Sequence, residues 1–409
     1  MKNETDNKKV AVLYICTGEY NIFWKLFYYT FNQRFLKNSD VHYYVFTDAE
    51  NLEYRTNKDV HIIKVKAEKW PYSTLKRFHY FLMVETELRE YDFCFFFNAN
   101  MLCVENISED EFLPVKDDIL VVEHPEYCKQ CIENGVGEAK RKLTYERNDK
   151  SKACIPYGKE PPYVFGAING GKAYAYLDLA KELAALIDDD LTRDIVAVFH
   201  DESHLNRYIV DHNHYCLKSP EYAYPDGWIL PYEQKIMVMQ KENIIDVTSI
   251  REGSKDSSYD KVYAETRRAI KMNQFFEVSR QLLKAKSNGL NLPEYMKSKG
   301  LINIVIYGFR NWGEILLDEI RGSGIKVECI IDNFCSPEKV SGYRLIRKED
   351  VKTIKKADAI IVTAMPSFYL IMRDLIDYTE IPIYSIEHII HEMYLKTLGE
   401  FGRELYVYD

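Results

Sequence analysis

The sequence predicts an α/β fold, and three observations carry that reading. Strand-like and helix-like stretches alternate through the first 245 residues. The run Phe93-Cys94-Phe95-Phe96-Phe97 is apolar throughout, as in a strand covered on both faces. A second strand, glycine turn and helix pattern begins at Ile302 (INIVIYGFRNWGEILLDEI). The 409 residues allow two or three domains. The expected division is an α/β domain over 1–245, a helical linker over 246–300, a small α/β domain over 301–395 and a tail over 396–409.

Each element has its own sequence reason. Lys9 to Ile15 reads as a buried strand opening into Cys16-Thr17-Gly18-Glu19-Tyr20. Phe23, Phe27, Phe31 and Phe35 recur every four residues, which puts them on one face of a helix. Val41 to Asp48 and Val60 to Val65 follow as strands. Ser73 suits the N-cap of a helix running to about Tyr91, with Lys76 and Arg77 in its first turns. Residues 125–162 are polar with scattered Gly and Pro and read as a long surface loop.

Composition excludes several function classes. Lysine and arginine number 54 against 63 aspartate and glutamate, a net charge of −9, so nothing global favours nucleic acid or an anionic membrane. No apolar run approaches the roughly 20 residues of a membrane span, and the start MKNETDNKKV is too polar for a signal peptide. Nine cysteines without such a signal predict reduced thiols and a cytoplasmic location.

Four stretches concentrate side chains that carry chemistry. The Phe93–Phe97 run ends in Asn98-Ala99-Asn100, and ligands of open α/β sheets sit outside the carboxyl ends of such strands. An ordinary turn would use the same residues. His200-Asp201-Glu202-Ser203-His204-Leu205-Asn206-Arg207-Tyr208 is dense in functional groups, although Asp201 and Glu202 also suit a solvated helix start. Pro162 to Gly171 (PYVFGAINGG) clusters small residues, and such glycines suit turns or a backbone that a ligand must approach closely. Ser219 to Trp228 mixes aromatics with carboxylates, the pairing sugar rings favour and one that core plugs also use.

Together and in this order, these stretches resemble glycosyltransferase family 6. HDESHLNRY is nearly word for word the family's catalytic segment, and VHYYVFTD, LTYERNDKSKACIP, PYVFGAINGG and SPEY match its other signatures. The likeness covers about residues 8–245. It implies a GT-A fold and retaining transfer of galactose or N-acetylgalactosamine from UDP to the 3-hydroxyl of a terminal, fucosylated galactose. Animal members hold a manganese ion with an Asp-x-Asp where this chain has Asn98 and Asn100. Neutral amides withdraw most of the attraction for a hard divalent cation, so the resemblance is to the bacterial, metal-independent branch, with no cofactor expected.

Residue by residue, the resemblance implies that Glu202 is the nucleophile or oxocarbenium stabiliser. It assigns donor contacts to Ile15, Cys16, Thr17, Tyr20, Arg77, Asn98, Ala99, Asn100, Phe165, Gly166, Ala167, Asp201 and Lys241. It assigns acceptor contacts to His124, Phe199, Glu221, Tyr222 and Asp226. Arg77 and Lys241 would meet the leaving-group charge in place of a metal. At Phe165-Gly166-Ala167 the third position is often Gly in N-acetylgalactosamine enzymes and Ala in galactose enzymes, which leans toward UDP-galactose.

Competing chemistries are weaker. His200 and His204 are four apart, but a zinc peptidase needs His-Glu-x-x-His and Asp201 holds the second place. Cys128 and Cys131 form one CxxC without a second pair. In the C-terminal part, Gly308-Phe309-Arg310-Asn311-Trp312-Gly313 and Asp332 make a partial dinucleotide fingerprint on a Rossmann-like unit. Its bulky residues argue against tight NAD binding. Partner docking or nucleotide sensing is expected there, with an NAD-dependent oxidoreductase and a catalytically inactive glycan binder as rival functions.

Overall fold

The computed structural model describes residues 7–128, 144–252, 257–335, 340 and 342–398. These divide into two compact units, 7–241 with 245–252 and 242–244 with 257–398.

The first unit is built on a seven-stranded mixed sheet. Its strands are β1 (Lys9–Ile15), β2 (Asp40–Thr47), β3 (Val60–Lys64), β4 (Phe93–Phe97), β6 (Ile119–Glu123), β7 (Val164–Lys172) and β8 (Cys216–Lys218), in the order β3-β2-β1-β4-β7-β6-β8. Strands β1 to β4 are mutually parallel, whereas β7 runs antiparallel to β4 and β6. A second sheet of β5 (Met101–Cys103), β9 (Tyr224–Pro225) and β10 (Ile236–Val238) lies in the order β5-β10-β9.

All five residues of β4 are buried, as the apolar run requires. Phe27 and Phe31 of the helix Trp24–Arg34 stack with centroids 4.0 Å apart, and Phe31 and Phe35 both meet Phe97 edge-on. Burying each such ring contributes roughly 1.5–3 kcal/mol. Strand β7 reaches β4 closely because Gly170 has no side chain: a Cβ there would lie 2.4 Å from the Cys94 carbonyl oxygen.

Two expectations are corrected in this unit. The helix expected from Ser73 to Tyr91 is three short ones, Tyr72–Leu75, Arg77–Leu82 and Glu85–Leu88. The backbone leaves helical geometry at Lys76 (ψ 6°) and Val84 (ψ 27°), and Ser73 lies inside the first turn instead of capping it. The stretch read as a surface loop is a loop over 144–162 but only partly a surface one, and its residues 129–143 lie outside those described. It has no regular structure, yet Tyr145, Glu146, Ser151, Ala153 and Ile155 are buried.

The second unit is a five-stranded, wholly parallel sheet. Its strands are β11 (Asn303–Tyr307), β12 (Lys326–Ile331), β13 (Leu345–Ile346), β14 (Ala359–Val362) and β15 (Ile383–Ser385), in the order β13-β12-β11-β14-β15. Strand β13 carried no sequence signal. Val278, Leu282 and Ala285 of the helix Ser257–Ser287 are buried in this unit's core, so the unit begins inside the stretch read as a linker. No helix among the described residues is long and apolar enough to cross a membrane.

Candidate active site

Strand β4 delivers its polar end into a constrained position. The Asn98 N–H donates to the Ala167 carbonyl of β7 at 2.8 Å, and the Asn98 amide donates to Asn100 Oδ1 at 2.9 Å. Asn100 is buried and donates to the Met239 carbonyl at 2.6 Å, while the Met239 N–H returns a bond to the Asn100 carbonyl. The two amides are therefore bonded to each other and to protein, and neither carries charge. An Asp-x-Asp metal clamp does not fit here. Among the described residues, no group of three His, Cys, Asp or Glu side chains has the arrangement of a metal site.

Beside them lies a buried ion pair. Arg77 Nη1 is 2.6 Å from Asp201 Oδ2 and donates to the Gly166 carbonyl at 2.6 Å, and the guanidinium lies 4.1 Å from the Phe96 ring centroid. The break at Lys76 makes Arg77 the first residue of its helix. Burial pushes the Asp201 carboxyl up against the opposing pull of Arg77. Arg77 Nε, also buried, has no hydrogen-bond partner among the described residues.

Glu202 is next along the helix His200–Asp211. Its Oε1 accepts from the Tyr163 hydroxyl and its Oε2 from the Gly166 N–H, both at 2.8 Å. Gly166 permits this approach, since a Cβ there would come 2.8 Å from Glu202 Cβ. Burial raises the Glu202 carboxyl to about 7, partly offset by the bonds from Gly166 and Tyr163. It is thus poised to change charge near neutrality.

The helix itself is clamped to β7. The Asn206 amide donates to the Val164 carbonyl and accepts from the Val164 N–H, each at 2.9 Å. At the helix start His200 takes a left-handed backbone (φ 50°), and its ring meets Trp70 edge-on. On the far side, buried Asp190 accepts from Ser151 Oγ (2.5 Å), the Lys152 N–H (2.8 Å) and Arg193 (2.6 Å), with His204 Nε2 at 3.5 Å. Burial pushes the His204 imidazole down to about 4. His204 is thus part of a structural cluster, not a zinc pair with His200.

The structure brings Arg77, Asn98, Gly166, Ala167, Asp201 and Glu202 into one bonded cluster. Phe165 stands beside His124, centroids 4.7 Å apart, and burial pushes the His124 imidazole down to about 3. Phe199 is 41% exposed at the helix start, open to a ligand. Ile15, Thr17 and Tyr20 keep partial exposure at the end of β1, and Lys241 follows two residues after Met239. The main chains of Glu221 and Asp226 are tied to Lys235 and to Val238 of β10.

Three residues of the expected contact set lie buried. Cys16 is 0% exposed, bonded through its N–H to the Phe46 carbonyl, and burial pushes its thiol up to about 12. Tyr222 is 1% exposed and packs against Phe112, centroids 5.1 Å apart, so its ring is core. Ala99 is covered as well, its carbonyl accepting from the Tyr14 hydroxyl. Elsewhere among the described residues, seven cysteines are free thiols but Cys128 is disulfide-bonded, against the expectation of reduced thiols throughout. Cys131 lies outside the described residues.

Sequence reasoning missed Tyr163 and Asn206. Both lie inside motifs already singled out, but an aromatic and an amide there look like ordinary packing and capping residues. Only the β7-to-helix contact shows what they bond.

A mixed sheet whose central strand ends in polar residues, with a clamped carboxylate alongside, is consistent with a GT-A-like glycosyltransferase. The chain belongs to glycosyltransferase family 6, whose model matches residues 2–246, and membership makes it a hexosyltransferase. It is 33% identical over 233 residues to the O-antigen biosynthesis glycosyltransferase WbnI of Escherichia coli, covering 57% of this chain and 95% of that protein. It is 27% identical to the globoside alpha-1,3-N-acetylgalactosaminyltransferase 1 of Gallus gallus, over 54% of this chain and 63% of that one. It is 26% identical to the histo-blood group ABO system transferase 2 of Rattus norvegicus, over 54% and 66%. The chain thus spans somewhat under two thirds of these two animal relatives.

Proposed function

We propose that this chain transfers galactose, or N-acetylgalactosamine, from its UDP conjugate to the 3-hydroxyl of a terminal, fucosylated galactose, with retention and without a metal ion. The observation that carries this reading is the Glu202 carboxylate, held by two donors beside the Arg77–Asp201 pair at the carboxyl end of β4. The names of the relatives, which include an α1,3-N-acetylgalactosaminyltransferase, support the linkage.

In the proposed reaction the bond from the sugar's anomeric carbon to the diphosphate breaks and a bond from the acceptor oxygen forms on the same face. The acceptor proton leaves with the departing phosphate. Glu202 shields the opposite face, as a stabiliser of positive charge or as a covalent nucleophile. Arg77, held by Asp201 and the Gly166 carbonyl through Nη1, keeps its positive charge beside Glu202 to meet the leaving diphosphate. Lys241 supplies further positive charge. Asn98, only partly buried, offers the rest of its amide to ribose or phosphate while Asn100 holds it in place, and Phe199 offers an aromatic face to the acceptor.

The rival oxidoreductase reading loses its acidic anchor. Both Asp332 oxygens are engaged by main-chain donors, Oδ2 by Phe309 and Oδ1 by Phe334 and Cys335, at 2.7–2.8 Å. We assign the second unit to docking or nucleotide sensing and the protein to the cytoplasm. The deciding experiment is a panel of UDP-galactose and UDP-N-acetylgalactosamine against 2′-fucosyllactose and unfucosylated acceptors, with native protein and Glu202→Gln. Turnover on the fucosylated acceptor, lost by about 10²–10³-fold in Glu202→Gln with donor binding kept, is expected. Glycan binding without transfer or UDP release would mean an inactive binder.

A further inference from the structure

Tyr163 is buried to 2% exposure on the approach to β7, and its hydroxyl has two neighbours of consequence. One is Glu202 Oε1 at 2.8 Å, and the other is the Thr144 side chain. Its ring packs against Tyr145, Tyr127 and His124, with centroids 5.0–5.6 Å away, and shares a small apolar cluster with Tyr145 and Ile155. The segment supplying Thr144, Tyr145 and Ile155 is anchored along its length. Glu146 accepts from the Val198 N–H, Ser151 donates to Asp190, and Arg207 donates to the Cys154 carbonyl.

The Tyr163 ring therefore cannot swing away without opening this cluster, and its hydroxyl donates to Glu202 Oε1. Burial raises the phenol well above its ordinary range, so it stays protonated and donating. The other groups facing Glu202 are the Gly166 N–H from β7, Asp201 on its own helix, and Arg77 from the helix Arg77–Leu82.

We propose that Tyr163 is a positioning residue for the transfer, fixing the orientation of the Glu202 carboxylate and favouring its charged form through a hydrogen bond rooted in the 144–156 segment. This rests on the reading of Glu202 as the reacting carboxylate. A donor to the charged form favours that form. Removing the hydroxyl frees one carboxylate oxygen and withdraws part of what keeps it ionised.

The test is Tyr163→Phe, assayed for UDP release across pH 5–9. Expected are a fall in kcat of about 10–100-fold, a KM for the UDP-sugar within about twofold of native, and an acid limb of kcat moved up by about half a pH unit or more. In a Glu202→Gln background the same substitution should cost nothing further. Tyr163→3-fluorotyrosine, whose more acidic phenol donates more strongly and whose fold is preserved, should move the limb the other way. Native kcat and an unmoved limb in both variants would overturn the proposal, as would lowered kcat and Tm with the limb unmoved. If Glu202→Gln itself turns over normally, the reading of Glu202 fails first, and the two failures are distinguishable.

Discussion

Arg77 and Asp201 meet at 2.6 Å with both side chains over nine-tenths buried, and the same guanidinium nitrogen holds the Gly166 carbonyl. One cation thus ties together a short helix, the helix of Glu202 and strand β7. A buried pair of this kind is weak evidence for stability, because desolvation offsets the attraction, but removing one partner strands the other. Its consequence is positional: Gly166 is held on one side by Arg77 and on the other offers its N–H to Glu202.

Activity should fall as pH drops through about 7, because the carboxylate of Glu202 is the form the transfer needs and burial raises it to about 7. Stability runs the opposite way. A carboxyl raised from 4.5 in the unfolded chain to about 7 when folded stabilises the protein fully below 4.5 and loses that contribution as pH rises through 7. The loss amounts to about 3 kcal/mol. Native Tm measured against Glu202→Gln from pH 4.5 to 8 should decline relative to the variant; a constant difference would contradict the raised carboxyl.

Chelation should leave turnover nearly intact. With Asn98 and Asn100 neutral and bonded to each other, excess EDTA is expected to change the rate by less than about twofold, the scale of ordinary buffer effects beside the 10²–10³-fold loss of a needed electrostatic partner. Strong inhibition relieved by manganese would point to a metal held elsewhere.

Ala167 should set donor choice by size. It follows Gly166 in β7 and is buried, its carbonyl accepting from the Asn98 N–H, and Ala167→Gly is expected to raise the UDP-N-acetylgalactosamine to UDP-galactose ratio of kcat/KM by about tenfold, within the roughly 1–3 kcal/mol available to one carbon. An unchanged ratio would remove this residue from donor selection.

Asn206 should matter for folding. Asn206→Ala leaves the Val164 N–H and carbonyl without their side-chain partners in a buried place. A loss of about 2–4 kcal/mol is expected by urea denaturation. A loss under 1 kcal/mol would show that other contacts fix the helix to β7.

Much of the fold is visible in local pattern. The uniform apolarity of Phe93–Phe97 marks a doubly covered strand, and the abrupt change to Asn98 marks the ligand end, because a strand buried on both faces leaves no place for polar side chains until it emerges. HDESHLNRY likewise announces Glu202 by its own residues. The partners of those residues are a different matter, since they come from segments brought near by the antiparallel passage of β7 beside β4. Glu202 and Tyr163 are 39 positions apart, and Arg77 and Gly166 are 89 apart. Local spacing carries no information across such distances. The same reason explains Tyr222, whose ring is buried against Phe112, and the helix after Pro71, whose breaks at Lys76 and Val84 local spacing does not show. Residue types set which chemistry is possible; which atoms face each other was decided by close packing of strands and helices far apart in the chain.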